Sequence, residues 1–83
     1  MPVVAIVDGV KIMFYANEHP PAHFHAKIAE FQAVVDIDSF MIVAGRLPPA
    51  QTRSVLAWAS SRQDRLRETF AAAMAHERVG PIE

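Results

Sequence analysis

Residues 23–37 constrain the fold more than any other stretch of this 83-residue chain. Phe24, Ala26 and Ile28 alternate with His23, His25 and Lys27, and Phe31, Ala33, Val35 and Ile37 form a second period-two set. That period puts each set on one face of a β-strand. A two-residue turn at Ala29-Glu30 sets Ile28 against Phe31, Ala26 against Ala33 and Phe24 against Val35. Each core residue then meets a core residue, and a slip of one residue would break every match. The same register predicts pairs on the opposite face. His23 falls across from Asp36 at a non-hydrogen-bonded position, where side chains approach most closely. His25 faces Val34, and Lys27 faces Gln32.

The rest of the first half extends this hairpin. Residues 2–7 are an apolar, β-branched run, Asp8-Gly9 follows, and residues 10–16 form the next run. An Asp-Gly pair between apolar runs signals a type I′ hairpin, because both central residues need positive φ. In the second run Val10, Ile12 and Phe14 share one face, and Lys11, Met13 and Tyr15 share the other. Residues 17–22 must be a loop, since Pro20 and Pro21 remove two backbone donors. A short fifth strand is expected at 40–43, after a turn at Asp38-Ser39.

The second half reads differently. From Ala50 to about His76 there is no Pro or Gly. Val55, Leu56, Ala59, Leu66, Phe70, Ala73 and Met74 fall on one stripe at 100° per residue, and only Gln63 interrupts it. Pro48 and Pro49 suit a first helical turn. Ser60-Ser61 is a candidate bend. Trp58 sits at the edge of the stripe with Arg62 and Arg65, where the guanidinium groups either stack on the indole or simply lay their stems over a capped core rim. The expectation is one α+β domain over residues 1–83. Four or five antiparallel strands in a hairpin meander (about 2–44) precede one long C-terminal helix (about 49–76) packed on one face, and a short tail (77–83) leaves the ordered chain at Gly80-Pro81.

Composition narrows the function. The chain has no cysteine, which excludes disulfides, Cys-based zinc ribbons, iron–sulfur clusters and thiol catalysis. Three glycines leave no room for a Gly-rich phosphate loop. The net charge of −1 argues against a strongly basic nucleic-acid coat. The charge is segregated, however: residues 1–45 sum to −3, and residues 46–83, which hold all six arginines, sum to +2. No apolar run approaches the roughly 18 residues of a membrane span. No basic region precedes the first apolar stretch, and Asp8 interrupts it, so a cytoplasmic location is expected. A chain this short has a thin core. Val34, Val43, Met13 and Met41 on the face the helix does not need predict a homo-oligomer.

Chemistry concentrates in the histidines. Three of the four, His19, His23 and His25, fall within seven residues. They admit three readings. In the first they are polar residues on an exposed sheet face, with His23–Asp36 a cross-strand pair of about 0.2–1 kcal/mol. In the second, His23 and His25 hold a metal, with His19 or Glu18 arriving from the loop and Asp36 orienting His23; imidazole suits zinc, nickel or iron. In the third, His23 and His25 are base and acid on a nucleic-acid phosphodiester, Asp36 sets a tautomer, and Lys27, Arg62 and Arg65 contact phosphate.

The segment Asn17-Glu18-His19-Pro20-Pro21-Ala22-His23-Phe24-His25 resembles the signature of a small bacterial family, domain of unknown function 4160, in which an Asn-x-His loop leads into Pro-Pro-His-Phe-His. The resemblance extends through Phe14-Tyr15, Asp36-Ile37, Gly45-x-Leu47-Pro48 and Val55-Leu56-x-Trp58-Ala59. This chain departs from it in having Ala22 between the second proline and His23. The resemblance implies histidines of shared role at His19, His23 and His25. It also implies one half of a two-gene, toxin–antitoxin-like or regulatory module with a neighbouring-gene protein as partner.

Overall fold

The hairpin register holds at every position. In the computed structural model, which describes residues 3–83, five strands form one antiparallel sheet in chain order: β1 (Val3–Val7), β2 (Val10–Met13), β3 (His23–Ile28), β4 (Phe31–Asp36) and β5 (Ile42–Gly45). β3 and β4 pair Ile28 with Phe31, Ala26 with Ala33, Phe24 with Val35 and His23 with Asp36. Asp8 and Gly9 both have positive φ, 50° and 80°, as a type I′ turn requires. The turn at Ala29-Glu30 holds Ala29 at φ 52°, a left-handed conformation that costs a Cβ-bearing residue roughly 1–2 kcal/mol.

The fifth strand, Ile42–Gly45, lies two residues later than the expected 40–43. The Asp36 carboxylate accepts hydrogen bonds from Ser39 N–H and Ser39 Oγ at 2.7 and 2.8 Å. The Phe40 N–H donates to the Asp36 carbonyl, and the Asp36 N–H to the Met41 carbonyl, at 2.8 and 2.9 Å. This local network takes residues 37–41 into a turn before pairing resumes at Ile42. Strand β5 ends on Gly45 at φ 72°, where a Cβ would stand 2.1 Å from the Gln32 carbonyl oxygen, so only glycine fits.

The expected single helix is two: α1 (Pro49–Ser60) and α2 (Gln63–Met74). Arg62 leaves helical geometry at φ −131°, ψ 23°. Hydroxyls compete for the last carbonyls of α1, with Ser60 Oγ donating to Ala57 O and Ser61 Oγ to Trp58 O. Gln63, the residue that interrupts the apolar stripe, starts α2 and donates its amide to the Ile37 carbonyl at 2.9 Å. The break lets α1 pack on β1 while α2 packs on β3. The stripe still does its work: Val55, Ala59, Leu66, Phe70 and Ala73 are buried against Phe14, Phe24, Val35 and Ile37.

The tail is also docked, contrary to the expectation that order ends at Gly80-Pro81. Ile82 is buried, and its N–H donates to the Val4 carbonyl at 2.7 Å. Arg62 donates to the Glu83 carbonyl and Arg65 to the Pro81 carbonyl. The sheet face away from the helices carries Ile6, Lys11, Met13, His25, Lys27, Gln32 and Val34. Met13, expected to be exposed there, is buried, whereas Met41 and Val43 are each 64% exposed. Long neighbours such as Lys11 and Lys27 can cover a central side chain with their stems.

Candidate metal centre

His23 and His25 project from the same side of β3, one two-residue step apart, because strand geometry turns alternate side chains to the same side; His23, at the start of the strand, also meets α2. The loop between β2 and β3 carries Glu18 back over them; within it the Pro20-Pro21 peptide is cis. His25 Nε2 lies 2.5 Å from Glu18 Oε1, and His23 Nε2 lies 3.1 Å from Glu18 Oε2. The three donor groups lie within 4.8 Å of one another. Their side chains are partly buried, 14% exposed for His23 and 23% for His25 and Glu18.

Aromatic neighbours wall the cluster. Tyr15 stands edge-on to His25 with ring centroids 4.2 Å apart. Phe70 of α2 lies 5.2 Å from the His23 ring. The two imidazoles are 5.4 Å apart. Their nitrogens therefore converge on one point beside apolar surface.

The hydrogen bonds determine what that point can accept. His23 Nδ1 lies 2.8 Å from the Pro21 carbonyl. A carbonyl only accepts, so Nδ1 carries the hydrogen, and in the neutral ring Nε2 is left as a bare acceptor. That bare acceptor faces a carboxylate, which is also an acceptor. A second proton on the ring or a cation among the three groups resolves the conflict, and a backbone carbonyl behind the ring is the usual support of a metal-binding histidine. Burial pushes the Glu18 carboxyl up, but hydrogen bonds to His25 and His23, and their charge, outweigh it and hold the group below its ordinary value. Glu18 is thus a carboxylate, the form that binds metal.

Of the residues singled out by sequence, His23 and His25 are brought together. Asp36 sits across from His23 in the register, but its carboxylate turns to Ser39. The Ser39 backbone and hydroxyl hydrogen bonds hold its carboxyl below the ordinary value, and His23 adds only a minor charge effect. The support assigned to Asp36 is given instead by the Pro21 carbonyl. His19 is exposed and lies outside the cluster, and Glu18 fills the loop position in its place. Lys27 shares the histidine face. Arg62 and Arg65 line a separate cavity of about 730 Å³ with Pro81, Ile82 and Glu83. Arg62 stacks on Trp58 at 5.2 Å and donates to the Trp58 carbonyl at 2.8 Å. Sequence reasoning did not find Tyr15 and Phe70 as walls, although Tyr15 shares a face with Lys11 and Met13 by simple alternation.

A five-stranded meander backed by two helices, with a histidine–glutamate cluster between β3 and the β2–β3 loop, defines a small α+β domain. The family model described as Domain of unknown function (DUF4160) matches residues 9–71, from the β1–β2 turn into α2 and across the whole cluster. The chain belongs to this family. No curated protein and no solved structure matches it. Among the described residues, no helix is long and apolar enough to cross a membrane.

Proposed function

We propose that the protein binds a divalent first-row metal ion through Glu18, His23 and His25. The observation that carries this is the convergence of two imidazole nitrogens on one carboxylate, with the His23 ring fixed from behind by the Pro21 carbonyl. Two histidines and a glutamate suit zinc, and equally iron(II) or nickel. Three protein ligands leave positions for water or an incoming group, as in catalytic rather than closed structural sites. The test is the metal content of protein purified without a histidine tag, followed by zinc titration. About one equivalent per chain, lost in His25→Ala, is the expected result. No uptake at micromolar zinc overturns the reading.

A second reading has the same face contact or act on nucleic acid, as part of a toxin–antitoxin-like or regulatory pair. Lys27, two residues along β3 from His25, favours it. It calls for a shift or cleavage of RNA or DNA at low salt, alone or with the neighbouring gene product, and fails if neither occurs. Exposed Met41 and Val43 support self-association, which light scattering at roughly micromolar concentrations tests.

A further inference from the structure

Lys11 and Lys27 occupy directly opposed positions on β2 and β3. Both point to the helix-free face by alternation with Ile12 and Ala26. Like charges set opposite each other across a sheet oppose folding. Among the described residues, no carboxylate lies within 4 Å of either lysine. Glu18 is engaged by the two histidines and Asp36 by Ser39. The pair therefore sets two positive charges on adjacent inner strands, near the turn end of β2 and β3, with no carboxylate partner among the described residues.

A trough connects that charge to the histidine cluster. One cavity of about 380 Å³ is lined by Lys11, Met13, Tyr15, Lys27 and Gln32. A second, of about 180 Å³, is lined by Met13, His25, Lys27 and Gln32. Met13, Lys27 and Gln32 line both, so the two cavities adjoin and together reach from the lysine pair to His25.

We propose that this trough binds a phosphate ester, with the phosphate between the two ammonium groups and its organic part toward Met13 and Tyr15. A dianionic phosphate matches two lysines, whereas a carboxylate leaves one uncompensated. Gln32 adds an amide donor at the edge. The trough's larger part is the size of a small-ligand pocket. The continuity with His25 rests on the metal reading, because an ion there would supply the far end of the same anion site. The lysine pair stands without it.

The experiment follows backbone amide shifts on titration with phenyl phosphate, inorganic phosphate, acetate and a short single-stranded oligonucleotide. Each titration uses zinc-loaded and metal-free protein. Phenyl phosphate should move the amides of Lys11, Met13, Lys27 and Gln32. Lys27→Gln and Lys11→Gln should each weaken its binding by about tenfold and leave zinc uptake unchanged. If the oligonucleotide displaces phenyl phosphate from the same amides, the natural phosphate belongs to a nucleic-acid backbone; if it does not, to a small ester. Either result supports the site. Binding unaffected by both lysine variants, or acetate bound as tightly as phosphate, overturns it. Zinc uptake without phosphate binding removes this proposal alone. Phosphate binding at the lysines without zinc uptake removes the metal reading alone.

Discussion

The molecule has two polar constellations, and they use their hydrogen bonds in opposite ways. At the helix corner, Arg62 and Arg65 direct their donors to backbone carbonyls of Trp58, Glu83 and Pro81. The Arg62 guanidinium is matched by fixed acceptors, Arg65 adds one longer contact at 3.4 Å, and the outcome is a docked tail. On the sheet face, His23 and His25 direct ring nitrogens at a single shared carboxylate. Those groups are left competing for one point. Charge density alone would have ranked the arginine corner first. What separates a fastening from a binding site here is whether polar atoms are individually satisfied or converge.

That contrast can be broken in several ways. The largest expected effect is on metal affinity. His25→Ala or Glu18→Ala should lower zinc affinity by 100-fold or more, since even supporting residues of such sites are worth roughly 10–100-fold. Arg62→Ala should leave zinc affinity unchanged, and a loss there would erase the distinction. Next comes stability at the corner. Ile82→Ala should cost about 2 kcal/mol in urea unfolding, at the lower end for a buried aliphatic truncation because the tail lies at the rim. Arg62→Ala should cost about 1–2 kcal/mol through its lost stacking and hydrogen bonds.

A smaller effect is pH-dependent. The Glu18 and Asp36 carboxyls lie below their ordinary values of 4.5 and 3.8 in the folded chain. The unfolded chain takes up their protons first as pH falls, so their stabilisation is complete above those values and is lost below them. Glu18→Gln should flatten the upper part of this acid limb, and Ser39→Ala, which removes the hydroxyl donor but keeps the backbone one, should flatten the lower part by less. Arg62→Ala should leave its shape intact. The smallest effect is Ala29→Gly, which relieves the left-handed turn residue and should add about 0.5 kcal/mol after the entropic cost of glycine is deducted.

The pairing of β3 with β4 was legible because a period of two tolerates no slip when every apolar residue must meet another. The helix break was not. Ser60-Ser61 marked the place, but the separation of α2 depends on Gln63 finding the Ile37 carbonyl, a partner 26 residues away. No periodicity records such a contact. The choice between Glu18 and His19 as third ligand was not legible for a related reason: Glu18 reaches the histidines through the path of a proline-containing loop, which alternation does not specify. Asp36 shows the limit of register. Its backbone position was predicted, yet its side chain was claimed by Ser39 three residues on. The Asp-x-x-Ser spacing is a local turn signal that competes with any cross-strand role.

The chain-order arrangement of the sheet also bears on how fast it can assemble. Every strand pairs with its sequence neighbour, so each hairpin closes a short loop, and the entropy lost in closure grows only slowly with length. Growth can start at the Asp8-Gly9 and Ala29-Glu30 turns independently and meet at the β2–β3 pairing. That last closure spans the Asn17–Ala22 loop, which also carries Glu18. The segment that completes the histidine cluster is therefore the one whose closure joins the two hairpins, and stopped-flow folding of loop variants would show it as the slowest element to consolidate.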